Sequence, residues 1–169
     1  MSQLKVNSII PVGGLPSGAN GGILQVVQTV KTDTFTHNST SFTDLTGLSA
    51  TITPSSSSSK ILCDMRIYIS LGTSGGTSTA IFNLVRGSTN IAQPDGSNAH
   101  NATLHSWSSA AYMQARSMNF LDSPATTSAT TYKVQVKADG TSATINVNKY
   151  YNNENYRGIS TLTLFEVTA

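Results

Sequence analysis

The sequence predicts an all-β protein, an antiparallel β-sandwich, and three observations carry that prediction. Apolar residues recur with a period of two through most of the chain. Ser, Thr and Asn fill the alternate positions, and Gly, Pro, Asp and Ser clusters interrupt the pattern where turns are needed. No segment sustains the 3.6-residue period of an amphipathic helix.

The clearest strand is Ile61 to Leu71. Ile61, Cys63, Met65, Ile67, Ile69 and Leu71 share one face, and Asp64, Arg66, Tyr68 and Ser70 share the other. Burying one large apolar side chain stabilises by roughly 1.5–3 kcal/mol. A slip of one residue would expose that face and bury Asp64 and Arg66, so the register is well specified. Tyr132, Val134 and Val136 alternate with Lys133, Gln135 and Lys137 in the same way. Ile145 and Val147 alternate with Thr144, Asn146 and Asn148. Asp139-Gly140, between these two runs, predicts a hairpin turn. Further strands are expected around Leu24–Lys31, Ser49–Thr53, Thr79–Arg86, Ala110–Leu121 and Ser160–Val167. Connections are expected at Pro54–Ser59, Thr73–Thr77, Gln93–Ala102 and Asp122–Ser128. That makes roughly eight strands, the number of a sandwich or barrel. The last strand, Thr161 to Val167, is apolar enough to lie inside a sheet. A chain that ends on a central strand and opens beside it suits a jelly roll.

Residues 1–22 read as an extended N-terminal arm with a Gly-rich linker, and 23–169 as the sandwich domain. Leu4, Val6, Ile9, Ile10 and Val12 are the arm's apolar residues, followed by Pro11, Gly13, Gly14, Pro16, Gly18, Gly21 and Gly22. Such side chains are expected to dock on a partner, with the glycines uncoupling the arm from the sheet.

Ten Lys+Arg against eight Asp+Glu give a net charge of +2, and only 11% of the residues are charged. The cations are spread along the chain, which argues against binding nucleic acid through its phosphates. No window is apolar enough for a membrane span, and no signal-peptide core is visible, so assembly in the cytoplasm of the producing cell is expected. The single Cys63 excludes an intrachain disulfide framework and lies on the inward face of its strand, where a thiol is inert core. The Gly-rich run Gly72-Thr73-Ser74-Gly75-Gly76-Thr77 has no Lys-Ser/Thr ending and precedes a strand, not a helix, so it reads as a flexible turn. No readable carboxylate pair occurs, and no enzyme and no cofactor are expected. Asp95, His100 and His105 are a weak metal candidate, read as solvated loop residues.

Two stretches are candidates for recognition. Gln93 to Trp107 is polar and long for a sandwich connection. Tyr150-Tyr151-Asn152-Asn153-Glu154-Asn155-Tyr156 combines aromatic faces with amides, which suits a subunit contact, ordinary loop packing or stacking on sugar rings.

The opening Leu4-Lys5-Val6-Asn7-Ser8-Ile9-Ile10-Pro11 resembles the starts of many virion structural proteins of tailed bacteriophages, marine and cyanobacterial ones among them. Gly21-Gly22-Ile23-Leu24-Gln25-Val26-Val27-Gln28, Asp122-Ser123-Pro124-Ala125-Thr126-Thr127, Thr131-Tyr132-Lys133-Val134 and Ser160-Thr161-Leu162-Thr163 are similar to the same group. The resemblance implies a jelly roll akin to tumour-necrosis-factor and C1q-type domains. It also implies a homotrimer placed on a capsid, neck or fibre of the virion, and it carries no catalytic residues. The leading expectation is therefore a trimeric capsid-decoration or tail-fibre component held by its arm to other virion proteins. The alternative is a receptor-binding fibre tip recognising host surface glycans.

Overall fold

A computed structural model describes residues 22–73, 78–96, 98, 100–108, 112–140 and 143–168. The arm residues Leu4, Val6, Ile9, Ile10 and Val12 lie outside that range. Among the described residues there is no helix. The strands are β1 (Ile23–Lys31), β2 (Phe35–His37), β3 (Thr43–Ile52), β4 (Lys60–Thr73), β5 (Ser78–Arg86), β6 (Thr89–Ile91) and β7 (Leu104–Ser108). They continue with β8 (Gln114–Asp122), β9 (Thr130–Ala138), β10 (Ala143–Val147), β11 (Lys149–Tyr150), β12 (Asn153–Arg157) and β13 (Ser160–Val167).

Two antiparallel sheets face each other as a β-sandwich. One has six strands in the order β1-β13-β4-β10-β2, with β8 also pairing β4. The other has five, β3-β9-β5-β6, with β7 also pairing β5. Several of these strands are broken pieces of one line. β13 and β10 pair successive stretches of β4, opposite β8. β1 and β2 pair those two in turn, and β6 and β7 share one side of β5. Each sheet thus has four positions across: β1/β2, β13/β10, β4 and β8 in one, and β3, β9, β5 and β6/β7 in the other.

The core lies between the sheets. Ile61, Cys63, Met65, Ile67, Ile69 and Leu71 of β4 are each at most 1% exposed, as the alternation requires. They meet Phe82 and Leu84 of β5 and Tyr132, Val134 and Val136 of β9. The last strand is interior to its sheet, between β1 and β4.

Four expectations are corrected. Asp139-Gly140 is not a hairpin turn, because β9 and β10 belong to different sheets. Both strands are apolar on one face, and the chain crosses the sandwich so that both bury that face in the same core. The stretch Gln93–Trp107 is not all connection, since its end forms β7 on the edge of β5. The strand expected from Ala110 begins at Gln114. The polar face of β4 is not uniformly solvated: Ser70 is buried, and its hydroxyl donates to the Lys149 carbonyl at 2.9 Å.

Candidate functional site

The burial of Ser70 follows from an excursion of the chain. Between β10 and β13 the chain leaves the sheet, forms the β11–β12 hairpin and returns. Asn148 is the hinge. It has φ of 59°, a left-handed conformation that Asn tolerates better than most residues. Its N–H donates to the Tyr68 carbonyl at 2.8 Å, and its carbonyl accepts from the Gly158 N–H at 3.2 Å. Its side-chain amide donates to the carbonyls of Lys31 and Asp33 at 2.8 and 3.0 Å, and its Oδ1 accepts from Ser160 Oγ at 2.7 Å. One residue therefore ties together the break in β1/β2, the break in β10/β13 and the continuous β4.

The hairpin lies against the outer face of β4, where two glycines permit close approach. A Cβ on Gly72 would clash with the Tyr151 ring, and one on Gly158 would lie 2.9 Å from Tyr68 Cβ. Tyr151 thus packs the hairpin onto the sheet. Tyr150 and Tyr156 meet edge to face, with centroids 5.9 Å apart. A cleft of about 600 Å³ is lined by Met113, Tyr150, Asn153, Asn155, Tyr156 and Arg157. A second, of about 440 Å³, is lined by Thr32, Tyr68, Arg157, Gly158 and Ile159. Arg157 borders both. Every residue of β12 is exposed. The Glu154 carboxylate accepts from Lys149 Nζ at 3.0 Å and lies 3.5 Å from Arg157, and the Lys149 contact chiefly holds its carboxyl below the usual range. Arg66 donates to the Tyr68 hydroxyl at 2.9 Å.

Trp107, 62% exposed, is not part of this cluster: it stands on β7 of the five-stranded sheet, opposite Thr79 of β5. Of the three tyrosines, Tyr150 and Tyr156 meet, while Tyr151 is turned to packing against Gly72. The metal candidate is not assembled. His100 Nδ1 lies 3.8 Å from Asp139, and among the described residues no group of three or more His, Cys, Asp or Glu could hold a metal ion. Burial, with the nearby Asp122 charge, pushes the Cys63 thiol up to about 12, which leaves it protonated and unreactive.

A second surface was not singled out in the sequence. On the outer face of the six-stranded sheet, Val26 of β1 pairs Phe165 of β13, Phe165 pairs Leu62 of β4, and Leu62 pairs Leu121 of β8. These four apolar side chains stand side by side across the sheet, about 14 Å end to end at the usual spacing of about 4.8 Å. Val26 is 53% exposed and Leu121 47%, with Phe165 and Leu62 half-buried. Ile23 and Val167, paired at one end, extend the patch. The signal was present in part in the alternation, since Leu62 and Leu121 are apolar exceptions on outward faces, whereas Val26 shares its face with Leu24 and Val30. Only the register aligns them.

Inside the sheet, next to Phe165, Glu166 is fully buried. It accepts from Gln25 Nε2 at 2.6 Å and from the Ser55 N–H and Oγ at 2.7 and 2.6 Å. Burial alone would raise its carboxyl, but these donors and Ser59 prevail and hold it at about 2. The serine run, expected as a plain connection, is what solvates this carboxylate. No protein-family model matches the chain, and no curated protein sequence matches it.

Proposed function

We propose that this protein is a non-enzymatic virion structural component of a tailed phage, a homotrimer of jelly-roll subunits held to the particle by its N-terminal arm. The sheet orders β1-β13-β4-β8 and β3-β9-β5-β7, obtained by merging broken strands, support the jelly roll: each sheet alternates early and late strands, as a folded-over antiparallel ribbon does. The observation that carries self-association is the row Val26, Phe165, Leu62 and Leu121. A continuous apolar strip across a whole sheet face is unusual on a protein that works alone, and the chain's low charge opposes association only weakly. In a trimer the strip is covered by the neighbouring subunits. The resemblance of the arm sequence to those of phage virion proteins supports the location, with Leu4, Val6, Ile9, Ile10 and Val12 supplying the contact with other virion proteins.

Sedimentation velocity tests the association. The wild-type protein is expected to sediment as a trimer at about 10 µM, a level at which a specific interface with micromolar or tighter affinity is occupied. Leu121→Asp is expected to sediment as a folded monomer with an unchanged circular dichroism spectrum. A monomeric wild type, or a variant that stays trimeric, overturns the reading. Mass spectrometry of purified virions tests the location, and absence of the chain from them overturns it.

A further inference from the structure

We propose that the two clefts beside the β11–β12 hairpin form one binding site for a carboxylated saccharide. Arg157 receives the carboxylate, and the Tyr150–Tyr156 pair supplies the platform for a sugar ring. The inference stands apart from the trimer reading, which rests on a different part of the same sheet.

The chemistry of the lining selects the ligand. The larger cleft sets two aromatic rings beside two primary amides and a guanidinium. Tyr156 is 62% exposed, so its ring is open to a ligand. A sugar matches this set: its C–H face covers an aromatic ring while its hydroxyls donate to and accept from amides. A dry protein contact does not match it as well. Asn153, Glu154, Asn155 and Arg157 of β12 would all have to be desolvated together. The apolar surface suited to such a contact lies elsewhere, on the row through Leu62.

Charge makes the ligand acidic. Around the clefts stand Arg157, Lys149 and Arg66 against the carboxylate of Glu154, while Asp33, next to Thr32, is already paired with Lys31 at 2.8 Å. Lys149 holds that carboxylate at 3.0 Å. Arg157 touches it at only 3.5 Å, longer than the roughly 2.7–2.9 Å of a charge-assisted hydrogen bond. A ligand carboxylate that takes the guanidinium edge-on displaces a weak contact and gains a bidentate one. Because Arg157 lines both clefts, a saccharide bound through it has room for one ring against Tyr156 and another beside Tyr68, Thr32 and Ile159.

Titration of the full chain tests this, with trigalacturonate and a sialic acid methyl glycoside as acidic probes and the methyl ester of trigalacturonate as the neutral control. At least one acid is expected to bind, and trigalacturonate at least about 10-fold more tightly than its ester if it is the one bound. Arg157→Gln is expected to weaken the acid about 10-fold while leaving the ester within about 2-fold. Tyr156→Ala is expected to weaken both. Sedimentation of both variants is expected to match the wild type, which separates loss of the site from loss of the assembly. Neither acid binding at about 10 mM, the limit of a weak specific site, overturns the proposal. So does equal binding of trigalacturonate and its ester, an unaffected Arg157→Gln, or a change of oligomeric state in Arg157→Gln that reveals a subunit contact.

Discussion

β5 and β1 both carry apolar residues on the outward faces of their sheets, yet Ile81 and Val85 of β5 are 0% and 2% exposed while Val26 and Val30 of β1 are 53% and 46% exposed. The difference is position in the sheet. β5 is flanked on both sides, and the side chains next to its outward valine and isoleucine are long. Lys137 and His105 pair Ile81, and Lys133 and Asn90 pair Val85. The lysines are held down, Lys133 by Asp44 at 2.8 Å and Lys137 over the Phe42 ring at 4.9 Å, so their aliphatic stems roof the apolar residues. β1 has β13 on one side only, and Val26 pairs another apolar residue, Phe165, instead of a lysine. The outer face of β5 is closed by side chains of its own sheet. The other sheet leaves a strip exposed among the described residues.

Substitutions at the two faces should separate accordingly. Val85→Asp places a carboxylate beneath the lysine roof, at an expected cost of several kcal/mol, read as loss of the cooperative urea transition or of soluble protein. A Val85→Asp protein as stable as wild type would show that the outer face of β5 is open to water.

Glu166 tests how firmly the apolar strip is held from below. Glu166→Ala leaves the donors of Gln25 and Ser55 without their acceptor, at roughly 1–3 kcal/mol. Its pH dependence follows from the sign of the shift. The folded carboxyl titrates at about 2 against an ordinary 4.5, so its contribution is complete above about 4.5 and lost as the pH falls toward about 2. The gap in urea midpoint between wild type and Glu166→Ala should therefore be narrower at pH 3 than at pH 7. A gap that is the same at both pH values would mean the carboxylate is not the stabilising form.

Smaller effects are expected outside. Lys133→Ala removes an ion pair and part of the roof over Val85, at about 1 kcal/mol or less. Val26→Asp should change stability by no more than about 0.5 kcal/mol while abolishing association, the reverse of Val85→Asp. If instead Val26→Asp unfolds the protein and remains associated, the strip belongs to the protomer's own core.

Much of this molecule was legible in the alternation of residues. The inward face of β4, the inward faces of β9 and β10, the interior last strand and the inert Cys63 all follow from period two, because burial of an apolar side chain is decided locally by which face of the pleat it occupies. The tyrosine-rich segment was also visible as a candidate surface from composition alone. The short elements β2, β6, β7, β11 and β12 were not visible, since they alternate too briefly and pair only because a longer neighbour offers them an edge. The hairpin expected at Asp139-Gly140 failed for a related reason. A turn signal says that the chain reverses, and it does not say whether the next strand pairs with the last or crosses to the opposite sheet.

What the sequence determined by itself is therefore the sandwich's inward face along the clearly alternating strands β4, β9 and β10, whereas Leu45 and Leu48 of β3 enter the core ahead of the strand expected from Ser49. What only the tertiary structure decided is the outward half. Val26, Phe165, Leu62 and Leu121 are separated by up to 139 positions along the chain (165 − 26), and strand pairing alone makes them one strip. Asn148, Gly72 and Gly158 are unremarkable in sequence, yet they set the hairpin against β4 and shape the clefts around Arg157. The physical reason is range. Period two records whether a residue faces in or out, whereas a surface is made of residues that are neighbours only across strands, and that neighbourhood is written in topology.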